Sequence, residues 1–165
     1  MRFVILFLLG NLIISCSPPP TEFNEASLQD IFVDLKGNEI TFESVLKKHK
    51  GKVVFIDIWA SWCKDCIVGM PKVNELQKTY PSVQFVFLTV DHEQTKWRKG
   101  IEKFQIGYGD HYLIKKGWKK SPFCDFLDVG WIPRYIIINP SGKIDLFKAT
   151  KATDKNIVKH LDILQ

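Results

Sequence analysis

The chain has 165 residues, 45% of them apolar, and a formal net charge of +5 at pH 7. This length and apolar content suit one domain with its own core and leave too little for two. The basic residues occur in short runs such as Lys47-Lys48-His49-Lys50, which are typical of solvated faces or helix ends. The composition therefore argues against a nucleic-acid-binding protein, and we expect no nucleic-acid partner.

The first residues have the pattern of an export signal. Arg2 is followed by an apolar segment, residues 3–14, and Ser15 precedes Cys16. Such a segment, at about 1.5 Å per residue, is shorter than the roughly 30 Å hydrocarbon core, which disfavours a permanent transmembrane helix. We interpret residues 1–15 as a signal peptide. The pattern resembles bacterial lipoprotein signals, which implies lipid attachment to Cys16; an ordinary signal peptide with an incidental cysteine is the alternative.

A proline-rich stretch follows Cys16 and predicts an extended tether. We expect residues 16–30 to form the lipidated cysteine and a flexible tether, and residues 31–165 to form the folded domain. The domain would then lie close to a membrane in the bacterial cell envelope, facing the periplasm or extracytoplasmic space.

From Ile31 onward, strand-like and helix-like patterns alternate, which predicts an α/β fold. The buried strand at 53–59, the helix after Cys66 and the strand at 83–90 predict a parallel, right-handed crossover. The other expected elements are a hairpin (31–42), helices (42–49, 97–104, 121–127 and 153–164), a short strand (112–114) and two further strands (134–138 and 143–147).

The cysteines divide unevenly. If Cys16 carries lipid, Cys63 and Cys66 form one close pair and Cys124 is left over. A structural disulfide framework in a small exported protein would need several well-separated pairs. The single pair therefore indicates chemistry rather than a structural staple, and we expect Cys124 to be a buried, inert thiol rather than a third redox group.

The pair Cys63 and Cys66 stands where a strand gives way to a helix. The spacing brings both sulfurs within disulfide reach near a helix N-terminus, where thiolate is favoured, and Cys66 should be the more buried. A zinc pair is the alternative, but a tetrahedral site needs four ligands, and only His92, His111 and Cys124 offer loosely placed candidates. We expect no metal.

Asp57 is the one acidic residue within the apolar run 53–59. Alternation along a strand places it on the same face as Phe55 and Trp59. Burial there would raise the pKa of the carboxyl enough to hold a proton near neutral pH. The alternative is a carboxylate that turns outward or pairs with a lysine.

The chain resembles the thioredoxin superfamily, and more narrowly the TlpA/ResA group of membrane-tethered thiol-disulfide oxidoreductases. The motifs that carry the resemblance are the run from Phe55 to Cys66 (FIDIWASWCKDC), Pro71 within the following helix, and Ile132-Pro133. The resemblance implies a thioredoxin-like central mixed sheet flanked by helices, with an N-terminal hairpin and a central insert before Ile132.

The resemblance also implies roles for the site residues. Cys63 would be the exposed nucleophile, Cys66 the resolving thiol and Asp57 its proton-transfer partner. Pro133 would be a cis proline packed against the cysteine pair, and Ile132 would pair with an extended substrate segment. Two tryptophans, Trp62 and Trp131, would join Ile132 in an apolar rim, although core packing is the alternative for Trp131 and more so for Trp59.

The dipeptide Lys64-Asp65 departs from the Gly-Pro of thioredoxin and the proline-containing pairs of the tethered group. Lys64 should favour the Cys63 thiolate, whereas Asp65 should oppose thiolate at both sulfurs. The missing proline also leaves the first turn less rigid. The direction of electron flow therefore stays open.

These observations predict an envelope thiol-disulfide oxidoreductase that reduces protein disulfides, with cytochrome c maturation as the family's best-known setting. Its partners would be cysteine-containing substrate proteins and an upstream membrane thiol electron donor, and the Cys63–Cys66 disulfide would carry the electrons without a cofactor. The alternatives are a net oxidase or isomerase, and a copper-handling or purely adhesive module. The scarcity of methionine, with only Met1 and Met70, argues against copper.

Overall fold

The structure is a computed structural model that describes residues 18–165. The expected signal peptide, residues 1–15, and the expected lipid site at Cys16 lie outside the described residues. None of the described helices is both long and apolar enough to cross a membrane.

The described residues form one seven-stranded mixed sheet in the order β2-β1-β5-β4-β3-β6-β7. The strands are β1 (Ile31–Asp34), β2 (Glu39–Thr41), β3 (Val54–Trp59), β4 (Gln84–Thr89), β5 (Asp110–Ile114), β6 (Arg134–Ile138) and β7 (Ile144–Ala149). The hairpin β1–β2 is antiparallel, as the sequence predicts. The α/β fold class, the mixed sheet and the N-terminal hairpin are confirmed.

Strand β3 is the centre of the sheet. All six of its residues are buried, and it pairs in parallel with β4 and antiparallel with β6. The strand is apolar because the rest of the domain covers both of its faces, as the sequence suggested. The parallel β3–β4 pair confirms that the predicted crossover joins parallel strands, and its right hand stays a prediction.

Six α-helices accompany the sheet within residues 18–165. They are α1 (Glu25–Leu28), α2 (Phe42–Lys48), α3 (Lys64–Thr79), α4 (Gln94–Lys103), α5 (Pro122–Phe126) and α6 (Lys155–Ile163), with a short 3₁₀ helix at Trp118–Lys120. Pro71 lies inside α3. The Ser121 side chain accepts a hydrogen bond from the Cys124 backbone N–H, so Ser121 caps α5 as its sequence position predicts.

The central insert between β4 and β6 contains α4, β5, the 3₁₀ helix and α5. Strand β5 pairs in parallel with β4 and antiparallel with β1. The insert therefore joins the N-terminal hairpin to the core sheet, which explains why residues between β4 and β6 outnumber those of a single crossover.

The boundary of the folded domain at residue 31 is wrong. Phe23 packs on Phe42 with ring centroids 4.8 Å apart, and α1 follows directly. Asp30 is fully buried and accepts a hydrogen bond of 2.5 Å from the Ser121 hydroxyl. The packed region thus begins near Phe23, because the packing of its ring on Phe42 and the hydrogen bond of Asp30 to Ser121 hold residues 23–30 against the domain.

Candidate redox site

The site is built at the junction between β3 and α3. Cys63 is the N-cap of α3, with φ −81° and ψ 103°, and the Cys66 backbone N–H donates to the Cys63 Sγ at 3.1 Å. The two sulfurs form a disulfide, with the Cα atoms 5.3 Å apart. A backbone donor and the helix N-terminus both stabilise negative charge, so a reduced Cys63 is placed to ionise.

The two cysteines differ in access to solvent. Cys63 is 6% exposed and Cys66 0%, so the predicted order of burial is correct. Cys63 is nevertheless more covered than the exposed nucleophile that the sequence suggested. Its sulfur lies 3.7 Å from the Ile132 carbonyl oxygen, and packing against this loop accounts for the cover.

An aspartate that the sequence analysis missed holds the loop before the cysteines. The Ser61 backbone N–H and hydroxyl donate to the two carboxylate oxygens of Asp91, at 2.9 and 2.8 Å. Asp91 also accepts from the Thr89 hydroxyl at 2.8 Å and is itself buried. The end of β4 thereby fixes the loop that leads to Cys63.

The loop before β6 brings Ile132 to the pair, and the Ile132-Pro133 peptide bond is cis. Ile132 is only 4% exposed, and its carbonyl oxygen faces the Cys63 sulfur. Arg134, a buried residue that the sequence analysis did not single out, donates from its guanidinium to the carbonyls of Leu127 and Asp128 at 2.6 and 2.9 Å. Arg134 thus ties this loop to the end of α5.

An apolar surface surrounds Cys63. Trp62 is 57% exposed and Trp131 61% exposed, so for Trp131 the alternative of core packing is wrong, whereas Trp59 is fully buried. Trp118, which the sequence analysis missed, stacks on Trp62 with centroids 6.3 Å apart. Trp62, Trp118 and Trp131 border a cavity of about 360 Å³, and we call these three side chains the tryptophan surface. The other residues around the cavity are Cys63, Lys64, Asp65 and Ile132.

Asp57 lies in the middle of β3 and is completely buried. Burial raises the pKa of its carboxyl to about 8. Neither carboxyl oxygen has a hydrogen-bond partner, and its neighbour on β4 is Phe87. The predicted burial and raised pKa are confirmed, and the outward or lysine-paired alternative is wrong; a role for Asp57 in proton transfer stays a prediction.

Cys124 is a buried free thiol in α5, and burial raises its pKa to about 11. This environment disfavours the reactive thiolate. Within residues 18–165, no group of three or more His, Cys, Asp or Glu side chains is placed to hold a metal ion. Of the zinc-ligand candidates, His111 instead stacks on Phe87 with centroids 4.9 Å apart.

The chain is similar in sequence to known proteins. Residues 51–144 match the model of a family described as Thioredoxin-like. The thiol-disulfide oxidoreductase ResA of Geobacillus kaustophilus is 28% identical over 135 residues, which cover 82% of this chain and 74% of the relative.

Two solved structures are similar in fold. The thioredoxin domain of a Bacteroides vulgatus thiol-disulfide oxidoreductase gives a TM-score of 0.68 at 23% identity, covering 87% of this chain and 100% of that chain. A secreted Mycobacterium tuberculosis disulfide oxidoreductase gives 0.63 at 17% identity, covering 86% and 100%. At these identities the likeness supports the fold.

The burial of Asp57 predicts a distinctive dependence of stability on pH. Its pKa of about 8 in the folded protein lies above the ordinary value of 3.8, so between these values only the folded state holds the proton. The free energy of unfolding should therefore fall as pH rises from about 4 to about 8. Asp57→Asn should be more stable than wild type by on the order of 4 kcal/mol at pH 7 and equal to it near pH 4.

Urea unfolding of both oxidised proteins across this pH range measures the difference. A constant difference between wild type and Asp57→Asn at all pH values would show that the carboxyl does not titrate differently in the two states.

The unequal cover of the sulfurs predicts selective alkylation. In the reduced protein at pH 7, iodoacetamide should label Cys63 at least about tenfold faster than Cys66 or Cys124, since only Cys63 combines a backbone donor with some exposure. Mass spectrometry of peptides from timed samples gives the three rates. Faster labelling of Cys66 would contradict the assigned geometry.

Proposed function

The chain belongs to the thioredoxin-like family and is a thiol-disulfide oxidoreductase; we propose that within this class it reduces protein disulfides on the extracytoplasmic side of a bacterial membrane. The observation that carries the proposal is the Cys63 sulfur, which accepts the Cys66 N–H at the head of α3 and borders an exposed tryptophan surface. A sulfur so placed can attack a disulfide in a docked polypeptide.

The proposed reaction has two exchange steps. The Cys63 thiolate attacks a substrate disulfide, forms a mixed disulfide and releases one substrate thiolate. Cys66 then gives its proton to the Asp57 carboxylate and attacks the Cys63 sulfur, which releases the second substrate thiolate and closes the Cys63–Cys66 disulfide. Two electrons pass from the protein to the substrate, and an upstream membrane thiol donor would restore the dithiol.

The tryptophan surface supports a polypeptide as the substrate. Trp62 and Trp131 expose large apolar areas on either side of Cys63, where ordinary solvent-facing residues would be polar. The Ile132 loop lies 3.7 Å from the sulfur and offers backbone groups to an extended segment. A cysteine-containing substrate protein would dock here without needing a deep pocket.

The proposed direction, reduction rather than oxidation, is supported by Asp65 in the first turn of α3. Its carboxylate disfavours a thiolate at either sulfur, whereas Lys64 and the Cys66 N–H favour one. A reduced form with a less stabilised thiolate is the stronger electron donor. By resemblance to the TlpA/ResA group, cytochrome c maturation is the setting that we propose; net oxidation or isomerisation is the alternative.

A copper-handling role has less support. Met70 is the one methionine among the described residues, and it is buried in α3. It therefore offers no thioether at the surface beside Cys63, where soft Cu(I) would need a further ligand.

The path of the chain supports a tethered arrangement. The Thr21 carbonyl accepts from the Ile144 N–H at 2.7 Å, so residues before Thr21 leave the domain at the start of β7. Ile144 pairs with Ile138, which pairs with Val54 at the beginning of β3. The cysteine pair follows the other end of β3, about 20 Å away at roughly 3.3 Å per residue. A lipid at Cys16 would thus leave the reactive sulfur directed away from the membrane.

The direction of electron flow is measurable as a reduction potential. We expect the Cys63–Cys66 couple to lie near thioredoxin's value of about −270 mV and far from DsbA's value of about −120 mV. Equilibration with glutathione buffers followed by alkylation gives the potential. A value near DsbA's would replace the reductase with the oxidase.

A trapping experiment tests the substrate class. Cys66→Ser should leave a mixed disulfide on Cys63 when the variant meets an oxidised protein substrate such as insulin, because the resolving thiol is gone. Cys124→Ser is the matched control and should reduce insulin at the wild-type rate without trapping it. Failure of Cys66→Ser to trap any substrate would contradict the two-step exchange.

Membrane attachment has its own test. When the full chain is expressed in a bacterium, the wild-type protein should fractionate with membranes and partition into detergent, because the proposed lipid at Cys16 would hold it to the bilayer. Cys16→Ser should be found in the soluble envelope fraction. Equal membrane association of both proteins would rule out the lipid anchor.

A further inference from the structure

Among the described residues, three buried oxygen atoms near α3 have no hydrogen-bond partner: both carboxyl oxygens of Asp57 and the hydroxyl of Tyr135. Both residues are fully buried. Buried polar groups in folded proteins are almost always paired with protein groups or with ordered water. The concentration of three unpaired oxygens next to the redox pair therefore indicates a binding place for a small hydrogen-bonding molecule.

The sheet brings the two side chains together. Asp57 on β3 is directly opposite Tyr135 on β6, so both point to the same face. The Asp57 carboxyl and the Tyr135 hydroxyl do not hydrogen-bond to each other, since none of the three oxygens has a partner among the described residues. A water molecule typically makes about three hydrogen bonds to buried polar groups, and three oxygens are available here.

Helix α3 places this pair behind the resolving cysteine. Gly69 lies three residues after Cys66 and so on the same face of the helix. A Cβ atom at Gly69 would lie 2.9 Å from the Tyr135 hydroxyl oxygen, so that hydroxyl reaches the helix backbone one turn beyond Cys66. The absence of a side chain at Gly69 is what gives the hydroxyl its room.

We propose that Asp57 and Tyr135 share one buried water molecule, and that Tyr135 acts through it as a positioning residue that stabilises the Asp57 carboxylate, the form that then accepts the Cys66 proton. The inference rests on the proposed role of Asp57 in the exchange reaction. The tyrosine hydroxyl donates to the water, the water donates to the carboxylate, and no proton is gained or lost by Tyr135.

The other groups around Asp57 leave this role to Tyr135. Its neighbour on β4 is the apolar Phe87, and its neighbour on β6 is Tyr135. Burial, together with the Asp57 charge, raises the pKa of Tyr135 far above its usual value. The hydroxyl thus keeps its proton at every working pH and remains a donor.

The test is a carboxyl titration of the oxidised protein, which requires no turnover. In protein labelled with ¹³C at aspartate Cγ, Tyr135→Phe should raise the Asp57 pKa by about one unit relative to wild type, because a donor to the charged form is lost. Tyr80→Phe is the matched control. It removes a phenol oxygen that bonds Asp162 at 2.6 Å, away from the pair, and should leave the Asp57 titration unchanged.

Kinetics provide the second readout. In the reduced protein, the pH profile for closure of the mixed disulfide should shift upward by the same unit in Tyr135→Phe, giving up to about tenfold slower closure at pH 7. A merely structural role would lower the melting temperature without shifting either titration. An unshifted Asp57 carboxyl in folded Tyr135→Phe overturns the proposal, even if the wild-type protein reduces insulin normally.

A second variant covers the case in which Tyr135→Phe fails to fold. Gly69→Ala keeps the phenol but pushes its hydroxyl aside, and it should raise the Asp57 pKa in the same direction. No shift in Gly69→Ala would also overturn the proposal. If the carboxyl shifts as expected but wild type reduces no disulfide, the water-linked pair stands and the proposed function fails.

Discussion

The hydrogen bond from the Cys66 backbone N–H to the Cys63 sulfur fixes where α3 begins, and the reactive geometry follows from it. One sulfur replaces the usual hydroxyl or carboxylate of a helix cap, so it lies where the free N–H groups of the first turn converge. The packing of β3, which is buried along its whole length, holds the start of the loop that leads to Cys63. Asp91 then holds the intervening loop through Ser61.

The buried Asp57 in the central strand lowers the free energy of unfolding near neutral pH, and the proposed reaction uses its carboxyl as a proton acceptor. Asp57 has no partner for either oxygen, and its raised pKa means that the folded state resists ionisation near neutral pH. In the proposed reaction, the same resistance would let the carboxyl exchange a proton near the pH where the enzyme acts. An apolar residue at position 57 would offer no proton acceptor, so the proposed role of Asp57 would account for its unfavourable burial.

Local patterns predicted the elements, whereas long-range contacts decided what the sequence analysis missed. The fully apolar β3 run and the cap at Ser121 depend on neighbouring residues, so both were visible in the sequence. The burial of Asp30 depends on Ser121, a residue 91 positions away, and no periodicity encodes that pair. Trp118 was missed for the same reason, because only the folded insert stacks it on Trp62. Its one available signal was an aromatic residue beside lysines in a loop.

If Cys16 carries the proposed lipid, the two ends of β3 would correspond to an attachment end and a reactive end. Thr21 joins the sheet at the start of β7, whose partner β6 pairs with the start of β3, whereas Cys63 lies beyond the last residue of β3. The length of one strand therefore separates the point where the N-terminal segment leaves the domain from the sulfur. Because β3 is paired on both sides, this separation is fixed by the sheet. The burial that raises the Asp57 pKa is therefore part of the packing that keeps the sulfur and Thr21 at opposite ends of the sheet.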